Sequence, residues 1–227
     1  MQNDERDNDK NNEGEILLIN KPLDFTSFDV VQKIRKIRNI KKVGHAGTLD
    51  PKATGLLIIC TGKKTKSITA FMDYEKEYEG TMQLGAVTPS FDTETTITET
   101  KPYQHITEKN INDVLKKFLG EQLQIPPMYS ALKHKGKPLY TLARKGKTIE
   151  RNPRKIVISE LEIKEYKLPF VQFRVTCSKG TYIRSLVKDI GEQLECGAYL
   201  TQLQRTRIGT FHLSEAKTLE QLSMVNE

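Results

Sequence analysis

Apolar residues come in short runs along this chain, separated by longer polar stretches, and their spacing predicts a mixture of strands and helices. Residues 1–14 are mostly Asn, Asp, Glu and Lys with almost nothing apolar, so this tail is expected to be disordered. Residues 15–20 read as a short strand ended by Lys21-Pro22. Thr26 or Ser27 can cap a helix over about residues 28–38. Val30, Val31, Ile34 and Ile37 fall on one face of it, with Lys33, Arg35, Lys36 and Arg38 facing away. The run Leu56-Leu57-Ile58-Ile59-Cys60 reads as a buried strand, and residues 65–72 as a helix. Residues 77–85 alternate like a strand, 88–93 form a loop, and 111–119 form an amphipathic helix. Ile125-Pro126-Pro127 follows, where no helix can continue. Strands are expected over 155–166, 170–177 and 199–206, with a helix ending near Leu194 and a helix-like segment over 217–222. There is no strict β-α-β rhythm and no internal repeat. The predicted class is α+β, with a mixed, largely antiparallel central sheet flanked by helices.

Composition adds a sign to this picture. The length suits one large domain, read as residues 15–227. The net charge is +7, and residues 1–15 hold six acids against two bases, a balance of −4 that leaves +11 on the rest. A basic body favours a polyanionic partner such as nucleic acid, although a merely well-solvated surface has the same charge. The helix bases fit a solvated face and RNA contact about equally. Residues 129–154 are more pointed: nine Lys, Arg and His side chains interleave with Tyr129 and Tyr140. Cations for phosphates and flat rings for unstacked bases are what RNA requires. Cys60, Cys177 and Cys196 stand far apart with no Cys-x-x-Cys spacing, so neither a zinc site nor a disulfide framework is indicated. No secretory signal and no apolar run of membrane-spanning length is visible, which makes a reducing cytoplasm the default.

Candidate chemistry centres on Gly44-His45-Ala46-Gly47-Thr48-Leu49-Asp50-Pro51-Lys52-Ala53-Thr54-Gly55. One carboxylate sits on a Gly- and Pro-rich turn with an imidazole just before it, and the buried strand that follows would pin the turn to a rigid element. A lone Asp on a turn is usually a turn former or a helix cap. The whole string, however, resembles the catalytic loop of the TruB-type tRNA pseudouridine synthases. Further separated segments resemble the same family: Asn20-Lys21-Pro22, Lys76-Glu77-Tyr78-Glu79-Gly80, Phe91-Asp92-Thr93-Glu94, Gly180-Thr181-Tyr182-Ile183-Arg184-Ser185-Leu186 and Leu203-Gln204-Arg205-Thr206. Pro126-Pro127-Met128-Tyr129-Ser130-Ala131-Leu132-Lys133, with Gly136-Lys137-Pro138-Leu139-Tyr140, resembles the family's RNA-gripping thumb insertion, here about residues 125–154.

The resemblance implies a catalytic domain that isomerises the uridine at position 55, in the T loop of tRNA, to pseudouridine. No cofactor or metal is implied, because the reaction neither oxidises nor hydrolyses. It implies Asp50 as the essential carboxylate, attacking ribose C1′ or taking a proton from C2′. Arg184 matches the arginine placed against it, which would aim the carboxylate and favour its ionised form. Tyr78 matches the tyrosine that stacks on the target base, and its phenol is a candidate for helping remove the C5 proton. His45 matches the histidine near the displaced nucleotide. Lys21 would support the loop or a phosphate, Tyr182 would line the pocket or pack, and Leu203 would pack the pocket wall. Tyr129, Lys133, Lys137, Tyr140 and Arg144 are the thumb residues expected on RNA. Many relatives carry a C-terminal RNA-binding domain, often of PUA type; the chain after Phe211 is too short for one, so weaker tRNA grip is expected. The tRNA T-loop stem is the expected partner, with a monomer and no obligatory protein partner, and an added role in tRNA folding stays open. Three rival readings fit parts of the chain. Thr61-Gly62-Lys63-Lys64-Thr65 hints at a phosphate loop, but Leu57 replaces the first Gly and Lys64 the Ser/Thr. A non-catalytic RNA binder of the same fold sits poorly with an intact Asp50, Tyr78 and Arg184. A guide-RNA-dependent relative acting on ribosomal RNA would be expected to carry basic C-terminal extensions.

Overall fold

Leu56-Leu57-Ile58-Ile59-Cys60 forms the middle of a long strand in the computed structural model of this chain, which describes residues 13–224. In chain order the elements begin with β1 (Ile16–Lys21), α1 (Ser27–Arg38), β2 (Val43–His45), β3 (Ala53–Thr61), a 3₁₀ helix (Gly62–Ser67), α2 (Ile68–Asp73) and β4 (Lys76–Leu84). They continue with β5 (Ala86–Val87), β6 (Glu99–Thr100), α3 (Glu108–Lys117), β7 (Gly120–Gln124), β8 (Lys133–His134), β9 (Lys137–Pro138) and α4 (Leu139–Ala143). The last are β10 (Arg154–Lys167), β11 (Phe170–Cys177), α5 (Ile183–Gln193), β12 (Ala198–Ile208), β13 (Phe211–His212), a 3₁₀ turn (Leu213–Glu215) and α6 (Leu219–Met224). The residues fall into two units, one holding the chain up to Tyr78 and from Leu203 onward, the other Glu79–Gln202. The chain leaves the first unit within β4 and returns within β12.

In the first unit β3 is central. β1 pairs with it antiparallel, placing Ile19 opposite Leu57, and β12 pairs parallel from Leu203 opposite Ala53 to Arg205 opposite Gly55. Leu57 and Ile59 join Ile19, Val30, Val31, Ile34, Leu219 and Leu222 in one apolar cluster. Leu56, Ile58 and Cys60 point the other way, into a cluster with Phe71 and Ile208. Burial on both faces explains why the run is continuously apolar instead of alternating. Thr26 caps α1 in a reciprocal box with Asp29. Lys33 and Lys36 are exposed as expected. Arg35 and Arg38 are not on a free face: Arg35 Nη2 donates to Val43 O at 3.3 Å, and Arg38 pairs with Glu15 at 3.7 Å.

In the second unit the strand order is β4-β11-β10-β7. β10 and β11 form an antiparallel pair from Ile158 opposite Cys177 to Lys167 opposite Phe170, and β7 closes the edge with Gln124 opposite Arg154. α3 lies against β10 and α5. Their inward residues Ile111, Leu115, Leu186, Val187 and Ile190 are buried. The region expected as a thumb holds the β8–β9 hairpin and α4.

The class is as the pattern predicted: α and β mixed, a mostly antiparallel sheet, flanking helices. Local differences have physical reasons. The helix expected over 65–72 is split into a 3₁₀ turn and a short α-helix. β2 is three residues long, too short to show a period, and β7 (Gly-Glu-Gln-Leu-Gln) is a polar edge strand whose Leu123 is 70% exposed. Of the tail expected to be disordered, residues 1–12 lie outside the described residues. Glu13 pairs with Lys63 at 2.7 Å, and Glu15 N donates to Thr61 Oγ1 at 2.8 Å.

Gly55 is the tightest point beside the Asp50 loop. Its φ is +102°, and a Cβ there would lie 2.4 Å from Arg205 O. Gly55→Ala is expected to destabilise the protein by about 2–3 kcal/mol through backbone strain and a main-chain clash. Urea unfolding checks this; an unchanged midpoint would contradict it.

Candidate active site

The Asp50 loop joins β2 to β3 and is fastened on several sides. Ala46 N donates to Ile58 O at 2.9 Å as the loop opens, and Ala53 N donates to Asp50 O at 3.0 Å as it closes. Ser27, buried at the start of α1, braces the middle: its Oγ accepts from Leu49 N at 2.8 Å and donates to Leu49 O at 3.2 Å. Asp24 N donates to Pro51 O at 2.9 Å, and Lys52 pairs with Asp24 at 2.7 Å. Leu49 beneath is buried while Asp50 is half-buried, so the carboxylate stands at the surface of a rigid support.

Two fully buried cations serve this loop. Lys21, at the end of β1, has 0% exposure, and its Nζ donates to Pro22 O at 2.8 Å and Phe25 O at 2.6 Å. Burial lowers its pKa to about 8, against the pull of Asp50 and Asp24, with Arg205 adding to the lowering. Lys21 therefore lies within electrostatic reach of Asp50, as a loop-supporting role requires. Arg205, on β12, is 1% exposed; its Nε donates to Leu56 O at 2.7 Å and its Nη2 to Gly47 O at 3.1 Å. Its guanidinium carbon also lies 6.0 Å from the centre of the Tyr78 ring. His45 ends β2. Burial first, then the Arg205 charge, hold its imidazole below the ordinary histidine range, with the Gly47 backbone working against them. It is therefore mainly neutral at pH 7. Its Nδ1 is buried with no partner at hydrogen-bonding geometry among the described residues. Leu203 pairs with Ala53 where the loop ends and is half-buried. Lys21, His45, Asp50, Tyr78 and Leu203 thus share one unit, with Arg205 tied to their scaffold.

The remaining expected residues belong to the second unit. Arg184, in the first turn of α5, is 3% exposed. It donates from Nη1 to Ser90 O at 3.1 Å and from Nη2 to Tyr129 O at 2.9 Å, and its Nε lies 3.4 Å from Asp92 Oδ2. The Asp92 loop is itself braced, with Thr88 Oγ1 donating to Asp92 O at 2.8 Å and Glu94 N to Asp92 Oδ1 at 2.9 Å. Tyr182 is held by a two-way amide pairing: Tyr182 N donates to Gln124 Oε1 at 2.8 Å, and Gln124 Nε2 to Tyr182 O at 3.1 Å. That pairing sets where α5 begins and hence where Arg184 sits. Lys133 and Lys137 are exposed on the hairpin, Tyr129 is half-buried, and Tyr140 is exposed. Arg144 lies 5.3 Å from the Tyr140 ring and pairs with Glu94 at 2.7 Å.

Two residues of this machinery were not singled out by the sequence reading. Asp92 and Arg205 both stand inside segments that resemble the family, but no role was attached to either there. Only their burial distinguishes them. Among the described residues no group of three or more His, Cys, Asp or Glu side chains could hold a metal ion. No helix among them is long and apolar enough to cross a membrane. The segment that hinted at a phosphate loop lies in a 3₁₀ helix over residues 62–67.

The braced Asp50 carboxylate shares its unit with a neutral imidazole, a phenol and two buried cations, groups of the kind an enzyme uses for nucleophilic or acid–base chemistry. The particular family follows from comparison. Residues 35–183 match "TruB family pseudouridylate synthase (N terminal domain)", and residues 184–227 match "tRNA pseudouridylate synthase B C-terminal domain". The chain belongs to the TruB family of pseudouridylate synthases. It is 52% identical over 215 residues to tRNA pseudouridine synthase B of Phocaeicola vulgatus, covering 92% of this chain and 91% of that one. It is 47% identical to the protein of that name from Clostridium tetani, over 93% of this chain and 73% of that one. Among solved structures it resembles one titled "Crystal Structure of a Cbf5-Nop10-Gar1 Complex", with a TM-score of 0.73 and 33% identity. That likeness covers 94% of this chain and 54% of the other, so the chain spans about half the length of that neighbour.

The buried Lys21 carries a pH prediction. Its folded pKa is lowered from 10.5 to about 8, so between those values the unfolded chain binds more protons and stability rises with pH. Lys21→Met lacks this contribution. The stability of wild type relative to Lys21→Met is expected to climb from pH 8 to pH 10.5 in urea titrations; a flat difference would contradict the burial of a titrating amine.

Proposed function

We propose that this protein converts the uridine at position 55, in the T loop of tRNA, to pseudouridine. The observation that carries the reading is the braced Asp50 loop, half-exposing one carboxylate above a buried scaffold in a chain of this family. The uridine is stacked within the T loop and has to be flipped out, at a cost of about a few kcal/mol. The Tyr78 ring then holds the base, a contact worth roughly 1–3 kcal/mol for stacking. Ionised Asp50 breaks the C1′–N1 bond, by attack at C1′ or by taking the C2′ proton. The retained base turns, C1′ joins C5, and the C5 proton leaves, with the Tyr78 phenol a candidate acceptor. His45, held neutral, is assigned to the displaced nucleotide by its match to the family histidine. Lys21 supports the loop from below.

Arg184 is assigned to the same reaction by its match to the family arginine, and Tyr182 to the substrate pocket. Tyr129, Lys133, Lys137, Tyr140 and Arg144 are assigned to RNA contact by the thumb. We read residues 15–227 as one catalytic domain working without cofactor, as a monomer in the cytoplasm, with the T-loop stem as its partner. An added part in tRNA folding is compatible with the same surface.

A guide-RNA-dependent role on ribosomal RNA is the second reading, favoured only by the likeness to Cbf5. The named tRNA enzymes match at higher identity and over far more of their own length, which supports the first.

The test uses tRNA carrying tritium at uridine C5. Wild type is expected to release tritium, and Asp50→Asn to lose at least about 1000-fold in rate while binding tRNA within about threefold of wild type. Release by Asp50→Asn would remove that residue from its role. Release from ribosomal RNA but not from tRNA would move the substrate to the second reading.

A further inference from the structure

We infer that Arg205 positions both the Asp50 loop and Tyr78 for the reaction without itself touching the substrate. This rests on the reading of Asp50 as the reacting carboxylate.

A guanidinium that is 1% exposed is costly unless its donors are satisfied, so where they point is informative. Two of them meet main-chain carbonyls. Nε takes Leu56 O at 2.7 Å and Nη2 takes Gly47 O at 3.1 Å. Those carbonyls bracket Asp50, three residues before it and six after, so one planar group fixes the span of the loop. The same plane lies 6.0 Å from the Tyr78 ring centre, which ties the base-holding phenol to the frame that holds the carboxylate. The backbone repeats the constraint. Arg205 pairs in parallel register with Gly55, whose missing side chain lets the strands meet. The Arg205 charge also acts on His45, favouring a neutral imidazole.

This arrangement needs a fork. An ammonium on a flexible stem offers a point charge and cannot reproduce the two fixed directions. A misplacement of the loop of about 1 Å is enough to cost about 100-fold in rate. A residue serving the fold alone would lower stability, and with it tRNA binding and turnover together.

The experiment compares full-length wild type, Arg205→Met and Arg205→Lys. It measures single-turnover tritium release from tRNA labelled at uridine C5, tRNA affinity by gel shift, and hydrogen exchange of the amides in residues 47–56. Arg205→Met is expected to bind tRNA within about threefold of wild type, to lose at least about 100-fold in rate, and to exchange faster in the loop. Arg205→Lys is expected to lose about tenfold or more. A rate for either variant within about threefold of wild type overturns the proposal, as does a loss of rate matched by an equal loss of affinity. Should Arg205→Met fail to fold, Arg205→Lys decides. Loop exchange is read without turnover, so slow exchange in Arg205→Met counts against positioning even if wild type proves inactive on tRNA. Inactivity of wild type itself would strike the functional reading alone.

Discussion

The burial of β3 on both faces is the constraint on which the rest depends. A strand packed between α1 and α6 on one side and α2 on the other cannot shift without breaking two apolar clusters. Reversing its register by one residue would exchange those clusters completely. The loop that leads into it inherits that rigidity. Asp50 therefore stands on a support whose geometry is set by Leu56, Leu57, Ile58 and Ile59, none of which has any chemistry of its own.

Buried cations convert this support into a site. Lys21 and Arg205 are satisfied by main-chain carbonyls. Carbonyl partners leave the positive charge unneutralised. The surroundings of the loop thus stay electropositive, which suits an anionic aspartate and a phosphate-bearing substrate and disfavours protonation of His45. Within the second unit, Lys133 and Lys137 stand exposed on the hairpin.

Much of this was legible in the chain. The long segments α1, β10 and β11 came out within a residue of their ends, while α3 begins three residues before the expected start, at the Thr107 cap. The Asp50 loop was legible as a string of Gly, Pro, His and Asp against an apolar run. What stayed hidden was whatever depends on a partner distant in sequence. Arg35 fitted a solvated face and RNA contact equally, because its acceptor, Val43 O, lies beyond the helix. Asp92 and Arg205 carried no sign of their role, because their burial comes from elements distant in sequence. β2 and β7 were missed because three residues cannot show a period and a polar edge strand has none.

The most direct measurement is a structure of the protein with a T-stem-loop RNA carrying 5-fluorouridine at position 55, whose C5–F bond blocks the final proton loss. The account predicts that the modified nucleotide lies outside the helical stack, its ring on Tyr78 and its ribose C1′ against the Asp50 carboxylate. A pyrimidine still stacked within the T loop, or one bound away from Asp50, would contradict it.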